Sequence, residues 1–196
     1  MRNEPEFRKE QEYQLVLQQY EEEEQVKIYY FDGSGFSTTS SVPYAWQAVG
    51  ATQEIPCKRS KRLNILGFMS RENDSFFHPV EGSVTSEEVI KAFDGFAIRY
   101  AQHYAQTQAP CVVILDNASI HHSKAVKQRM RNWRQQGIFL HFLPPYSPEL
   151  NLIEILWRKI KYEWLPMSAY KNYQTMKNAV LETLSSFGEK YKITFA

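Results

Sequence analysis

Between Leu140 and Trp164 the chain reads LHFLPPYSPELNLIEILWRKIKYEW, and this stretch leaves little conformational choice. Pro144, Pro145 and Pro148 fix φ and remove backbone donors, which bars both helix and sheet pairing. The segment is therefore a stiff connector between a strand ending near Phe142 and an amphipathic helix. Asn151 is placed to cap that helix, and Leu152, Ile155, Leu156 and Ile160 give it an apolar stripe at helical spacing. Glu154 falls in the first turn, with Arg158 and Lys161 at i+4 and i+7 on the same face. A carboxylate held rigidly beside two cations suits a site for a metal and an anionic polymer. The same pattern also fits an ordinary glutamate favoured by the helix dipole and paired with Arg158.

Upstream, residues 6–24 read as a polar helix with Tyr13, Val16, Leu17 and Tyr20 on one side. VKIYYF (Val26 to Phe31) reads as a strand, and Asp32-Gly33 fits a hairpin turn into a second strand from Ser34 to Thr39. Strands follow at Leu63 to Met69 and Ser75 to Val80. Glu87 to Tyr104 carries a helical apolar stripe. CVVIL (Cys111 to Leu115) has the continuous apolar character of a strand buried on both faces. Ser123 to Arg134 reads as a basic helix, Ile138 to Phe142 as another buried strand, and Tyr173 to Phe187 as a last helix. Paired strands first, then helices alternating with strands, predict a mixed sheet with helices on its faces. Asp32 and Asp116 both follow apolar strands, at the edge where open sheets bind ligands.

No apolar run approaches the roughly 20 residues of a membrane span, and the acidic start is no signal peptide. Two distant cysteines, Cys57 and Cys111, suit a reducing cytoplasm. The net charge of +1 hides an acidic segment at 1–24 and a basic remainder. Between Asn117 and Pro148 there is no acid, against Lys124, Lys127, Arg129, Arg131 and Arg134. That is a candidate nucleic-acid face, although a solvated helix explains it nearly as well. His121, His122 and His141 lack the paired spacing of a zinc site.

Asp32, Asp116 and Glu154 make a set of three acids. Mg²⁺ favours a few carboxylates plus water and substrate phosphate oxygens. Two such ions, roughly 3.5–4 Å apart, can serve phosphodiester displacement. Each acid also has a plainer explanation: Asp32 in a turn, Asp116 starting one, and Glu154 at a helix start.

LDNASIHHSK (Leu115 to Lys124) and LPPYSPELNLIE (Leu143 to Glu154), followed by Trp157 and Lys161, resemble the second and third signatures of DDE transposases. The similarity is to the mariner superfamily and its bacterial insertion-sequence branch. YFDGSGF (Tyr30 to Phe36) is similar to the first signature, and RLNILGFM (Arg62 to Met69) has the family's character. The resemblance implies an RNase H-like fold, α/β with a mixed five-stranded sheet flanked by helices, spanning residues 26–190. Residues 1–25 would be an acidic helix or linker. It implies Asp32, Asp116 and Glu154 as catalytic metal ligands for two Mg²⁺ or Mn²⁺ ions. The implied reaction is cleavage at a transposon end that frees a 3′-hydroxyl to attack target DNA, usually at TA, without a covalent enzyme intermediate. Implied partners are transposon and target DNA, a second copy of the chain, and an upstream or separate helix-turn-helix portion. The implied location is a prokaryotic cytoplasm, on the nucleoid.

Lys58, Arg59, Lys61, Arg62, Lys124, Arg158 and Lys161 are candidate phosphate contacts. Asn117 and His121 are candidates to position Asp116 or a phosphate. Gly33 stands where the family commonly has a second acid. The segment before Val26 is too short for helix-turn-helix modules, so the chain reads as a catalytic half, split by frameshift or truncated. Two other readings stay open: a catalytically silent RNase H-like domain that binds DNA, and another metal-dependent nuclease on the same fold.

Overall fold

The computed structural model describes residues 3–39 and 61–195; Lys58, Arg59 and Cys57 lie outside the described residues. In chain order the elements are α1 (Glu4–Glu22), β1 (Lys27–Phe36), β2 (Leu63–Met69), β3 (Ser75–Glu81), α2 (Ser86–Thr107) and β4 (Cys111–Leu115). There follow α3 (Lys124–Gln135), β5 (Ile138–Phe142), α4 (Ile153–Lys159) and α5 (Tyr173–Ser185). The strands form one sheet in the order β3-β2-β1-β4-β5.

β2 pairs antiparallel with β1 and β3, whereas β1–β4 and β4–β5 are parallel. Parallel neighbours need long crossovers, and α2 and α3 lie in the two connections that lead into β4 and β5. α2 starts from Thr85, whose hydroxyl accepts from the Glu88 N–H, and α3 starts from Ser123, which caps Val126. Gly137 follows α3 at φ +79°, a conformation that suits glycine at a helix end.

Alternate residues of β1 serve two cores, as the period of a strand requires. Ile28 and Tyr30 join Ile65, Ile114, Leu156, Trp157 and Val180 on the face covered by α4 and α5. Tyr29 and Phe31 join Phe68, Val113, Phe93, Phe96 and Trp133 on the face covered by α2 and α3.

Several expectations are corrected. There is no hairpin at Asp32-Gly33: β1 runs unbroken through it, with Asp32 opposite Gly67 and Gly33 opposite Leu66. The reason is the partner strand, since β2 supplies a continuous ladder that outweighs a local turn preference. Asp32 is thus inside a strand, not at its end. It is nevertheless the first β1 residue beyond the parallel pairing, which stops at Phe31 and Leu115. β5 is an edge strand with only Ile138 buried, not a strand buried on both faces. On α1 the buried side is Glu10, Gln14 and Leu17; Val16 and Tyr20 stay exposed, and Tyr13, also partly exposed, stacks on His141. The α4 stripe is rotated by one residue, with Ile153, Leu156, Trp157 and Ile160 buried and Leu152 and Ile155 half-covered. Among the described residues no helix is long and apolar enough to cross a membrane.

Candidate active site

Asp32, Asp116 and Glu154 line a single cavity of about 360 Å³, together with Asn117, Asn151 and the proline-rich turn from Leu143 to Pro148. Three separate elements deliver them. β1 carries Asp32 past the end of its parallel neighbour, β4 releases Asp116 one residue after its last paired position, and α4 presents Glu154 from its first turn.

What brings α4 against the sheet is the absence of a side chain at Gly67. The Trp157 ring lies over that glycine, where an added Cβ would stand 2.8 Å from Trp157 Cη2 and 3.1 Å from Ile153 Cδ1. Because Gly67 is the cross-strand partner of Asp32, the close approach occurs beside the first acid. The turn leading to α4 is held from outside: Gln14 of α1 donates to the Leu150 carbonyl, and Glu10 pairs with His141 of β5 at 2.9 Å.

Asp32 has its pKa pushed up to about 7. Burial is the main cause, the Glu154 and Asp116 carboxylates add to it, and the Gly33 N–H and the nearby Trp157 indole oppose it. The Trp157 indole nitrogen is close enough to favour the charged form, yet it makes no hydrogen bond. Glu154 is also raised, by burial first and by Asp116, against the lowering effect of Lys161. Asp116, more open at 56% exposure, goes the other way. Its carboxylate lies 3.2 Å from Nε2 of the buried His121 and accepts from the Ala118 N–H at 3.3 Å. No cation pairs directly with Asp32 or Glu154 among the described residues, and the expected Glu154–Arg158 ion pair does not form.

The other candidates divide. Arg158 and Lys161 line an adjoining cavity with Glu154, Trp157 and Tyr162. Arg62 lays its guanidinium where a Cβ at Gly35 would sit, and its charge is felt by Lys161. Lys124 is exposed at the start of α3. Asn117 pairs with His122 rather than with Asp116. The three histidines have three different partners, which disperses them. Asn151 does not cap α4: the N-cap position is Leu152, without a side-chain bond, and the Asn151 amide instead donates to the Phe31 carbonyl at 3.0 Å. The sequence reading missed that tether and also missed Tyr146, which lines the cavity 74% exposed at φ +60°. A polar residue between Leu150 and Leu152-Ile153 was the available signal for a buried amide.

A mixed five-stranded sheet with helices on both faces, and carboxylates gathered beside its parallel strands, has the RNase H-like architecture. Residues 27–177 match the model of the DDE superfamily endonucleases, and the chain belongs to that family. The chain is similar in fold to the Mos1 mariner paired-end complex with Mn (TM-score 0.66, 14% identity, 94% of this chain and 56% of that one). It is also similar to the Mos1 transposase catalytic domain with raltegravir and Mg (TM-score 0.59, 14% identity, 94% and 84%). A protein of Sinorhizobium fredii, y4pE/y4sA, is 38% identical over 65 residues, covering 33% of this chain and 44% of that protein. The chain therefore spans about half the length of that relative and of the transposase in the paired-end complex.

Proposed function

We propose that residues 26–190 are the catalytic unit of a transposase, a metal-dependent DNA endonuclease and strand transferase. The observation that carries this reading is the convergence of Asp32, Asp116 and Glu154 from three distant parts of the chain on one cavity. Family membership supports it, as does likeness in fold to a transposase catalytic domain.

The residues present fit divalent ions. Their donors are all hard oxygens, and among the described residues Asp32 and Glu154 have no direct cationic partner. Among the described residues no three His, Cys, Asp or Glu side chains close into a ready-made cage. Mg²⁺ and Mn²⁺ keep waters and take substrate oxygens into their shells, so they need only a few carboxylates from the protein. Asp32, Asp116 and Glu154 would hold the ions, which, when bound, activate the attacking oxygen and stabilise the leaving one. His121 fixes the orientation of Asp116 and favours its charged form. Lys161 and Arg158 flank Glu154, with Arg62 and Lys124 further out, as contacts for the DNA backbone. Lys161 also tempers the repulsion among the acids.

Asp116→Asn and Glu154→Gln should each abolish Mn²⁺-dependent nicking of duplex DNA while leaving the circular dichroism spectrum unchanged. Undiminished nicking by either variant would overturn the assignment. Joining of a pre-cut 3′-end to a second duplex separates a strand transferase from a nuclease that only hydrolyses.

A further inference from the structure

Asn151 is 3% exposed and lines both the carboxylate cavity and the adjoining one. It sits at a junction. Its backbone carbonyl accepts from the Glu154 N–H at 3.0 Å, and its side-chain Nδ2 donates to the carbonyl of Phe31, the residue before Asp32. One residue thus fastens the first turn of α4 to the strand that carries the first acid.

Its orientation is determined by that bond. A carbonyl oxygen can only accept, so the NH₂ end of the amide must face Phe31 and Oδ1 must be the other atom. Oδ1 is buried and has no hydrogen-bond partner among the described residues. A buried acceptor left unmet calls for an explanation. The residue that carries it lines a cavity whose other polar walls include Asp32, Asp116, Glu154 and Asn117. Neutral acceptors beside carboxylates are what the water molecules around a hydrated divalent ion require, since each such water donates two hydrogen bonds.

We propose that Asn151 is a positioning residue whose Oδ1 accepts a hydrogen bond from a water in the shell of a divalent ion held by the three carboxylates. The inference rests on the metal-dependent reading of the site. It adds that one amide serves two tasks, with Nδ2 setting the distance between β1 and α4 and Oδ1 orienting the hydration shell. Partners outside the direct ligands typically change metal affinity by about 10–100-fold when removed.

The test compares Mn²⁺ binding by calorimetry, alone and with a pre-cut duplex, in the full chain and in Asn151→Ala and Asn151→Asp. Ion-free thermal stability is recorded for each. Both variants lose the Nδ2 tether, but only Asp keeps an oxygen acceptor. The expected result is Mn²⁺ affinity weakened about 10–100-fold in Asn151→Ala and retained in Asn151→Asp, with both losing ion-free stability. Equal weakening in the two variants would overturn the proposal, because the tether alone would then account for it. Unchanged affinity in Asn151→Ala would overturn it as well. Should alanine prevent folding, Asn151→Leu, close in size and without an acceptor, takes its place under the same criteria. Failure of the unsubstituted chain to bind Mn²⁺ in either condition would instead remove the metal-dependent reading itself, and this inference with it.

Discussion

Gly67→Ala is the sharpest probe of how the fold sets the site. The new Cβ would lie 2.8 and 2.9 Å from Trp157 Cη2 and Cζ2, where ordinary contacts begin at 3.4 Å, so the indole must retreat by about half an ångström. It cannot tilt freely, because its ring is boxed in by Phe36 and Phe77 at centroid distances of 6.3 Å. Trp157 is 2% exposed and shares the helix of Glu154, so the displacement passes to α4. Overpacking of this kind costs about 1–3 kcal/mol. In a domain of this size that corresponds to a fall in melting temperature of roughly 3–10 °C. Displacement of Glu154 from Asp32 should lower the Mn²⁺-dependent nicking rate by about 10–100-fold, beyond what the loss of stability explains at a temperature where the variant stays folded. Thermal unfolding followed by circular dichroism and a plasmid-nicking assay read the two effects separately. A second substitution sharpens the test: Trp157→Phe removes the atoms that clash, so the double variant should be more stable than the sum of the two single changes predicts. Additivity to within about 0.5 kcal/mol, or an unchanged melting temperature in Gly67→Ala, would refute the idea that the bare glycine seats the helix.

Two further outcomes concern parts of the fold away from the cavity. Asp94 accepts from the buried Trp133 indole at 2.7 Å and holds Arg129 through both carboxylate oxygens at 2.9 Å. Asp94→Ala should therefore destabilise the α2–α3 packing by about 1–3 kcal/mol in thermal unfolding, while nicking at low temperature persists. Burial acts to raise the pKa of Asp74, but hydrogen bonds from Tyr29, Arg99 and the Ser75 N–H outweigh it and leave the carboxyl below its usual 3.8. A depressed carboxylate stabilises the fold above its unfolded pKa, and that contribution fades as pH falls through the lower folded value. Unfolding measured from pH 6 down to pH 3 should thus show a steeper loss in the unsubstituted chain than in Asp74→Asn.

Much of this arrangement is legible in the sequence because strong periodic signals and the tertiary fold agree. CVVIL and the stripe from Val89 to Tyr100 become β4 and the inner face of α2, as continuous apolar runs and helical spacing dictate. The proline-rich turn and the helix behind it also follow from local chemistry. The failures occur where a partner distant in sequence decides. Asp32-Gly33 carries a turn signal, but the ladder to β2 keeps it extended, and the neighbouring Gly35 serves close approach, making room for Arg62. Asn151 looks like a cap because caps are local, whereas its true partner, Phe31, lies 120 positions away. β5 reads as buried from its composition, but its place at the edge is a property of strand order, which no single strand encodes. The gathering of the three acids is of the same kind: the residues and their motifs are visible in the chain, and their shared cavity emerges from the fold.

The division of the interior by the sheet has a consequence for how such a chain decays under mutation. Glu154 is anchored through Trp157 and Leu156 to one packed layer, while Asp116 depends on His121, whose ring meets Phe31 edge-on in the other. The cavity lies on the seam between them. Damage to one layer will misplace one acid and leave the other standing, so the cluster of acids can be broken by either of two independent routes while the protein still folds. Drift would then leave behind well-formed proteins with a broken seam before it leaves unfolded ones.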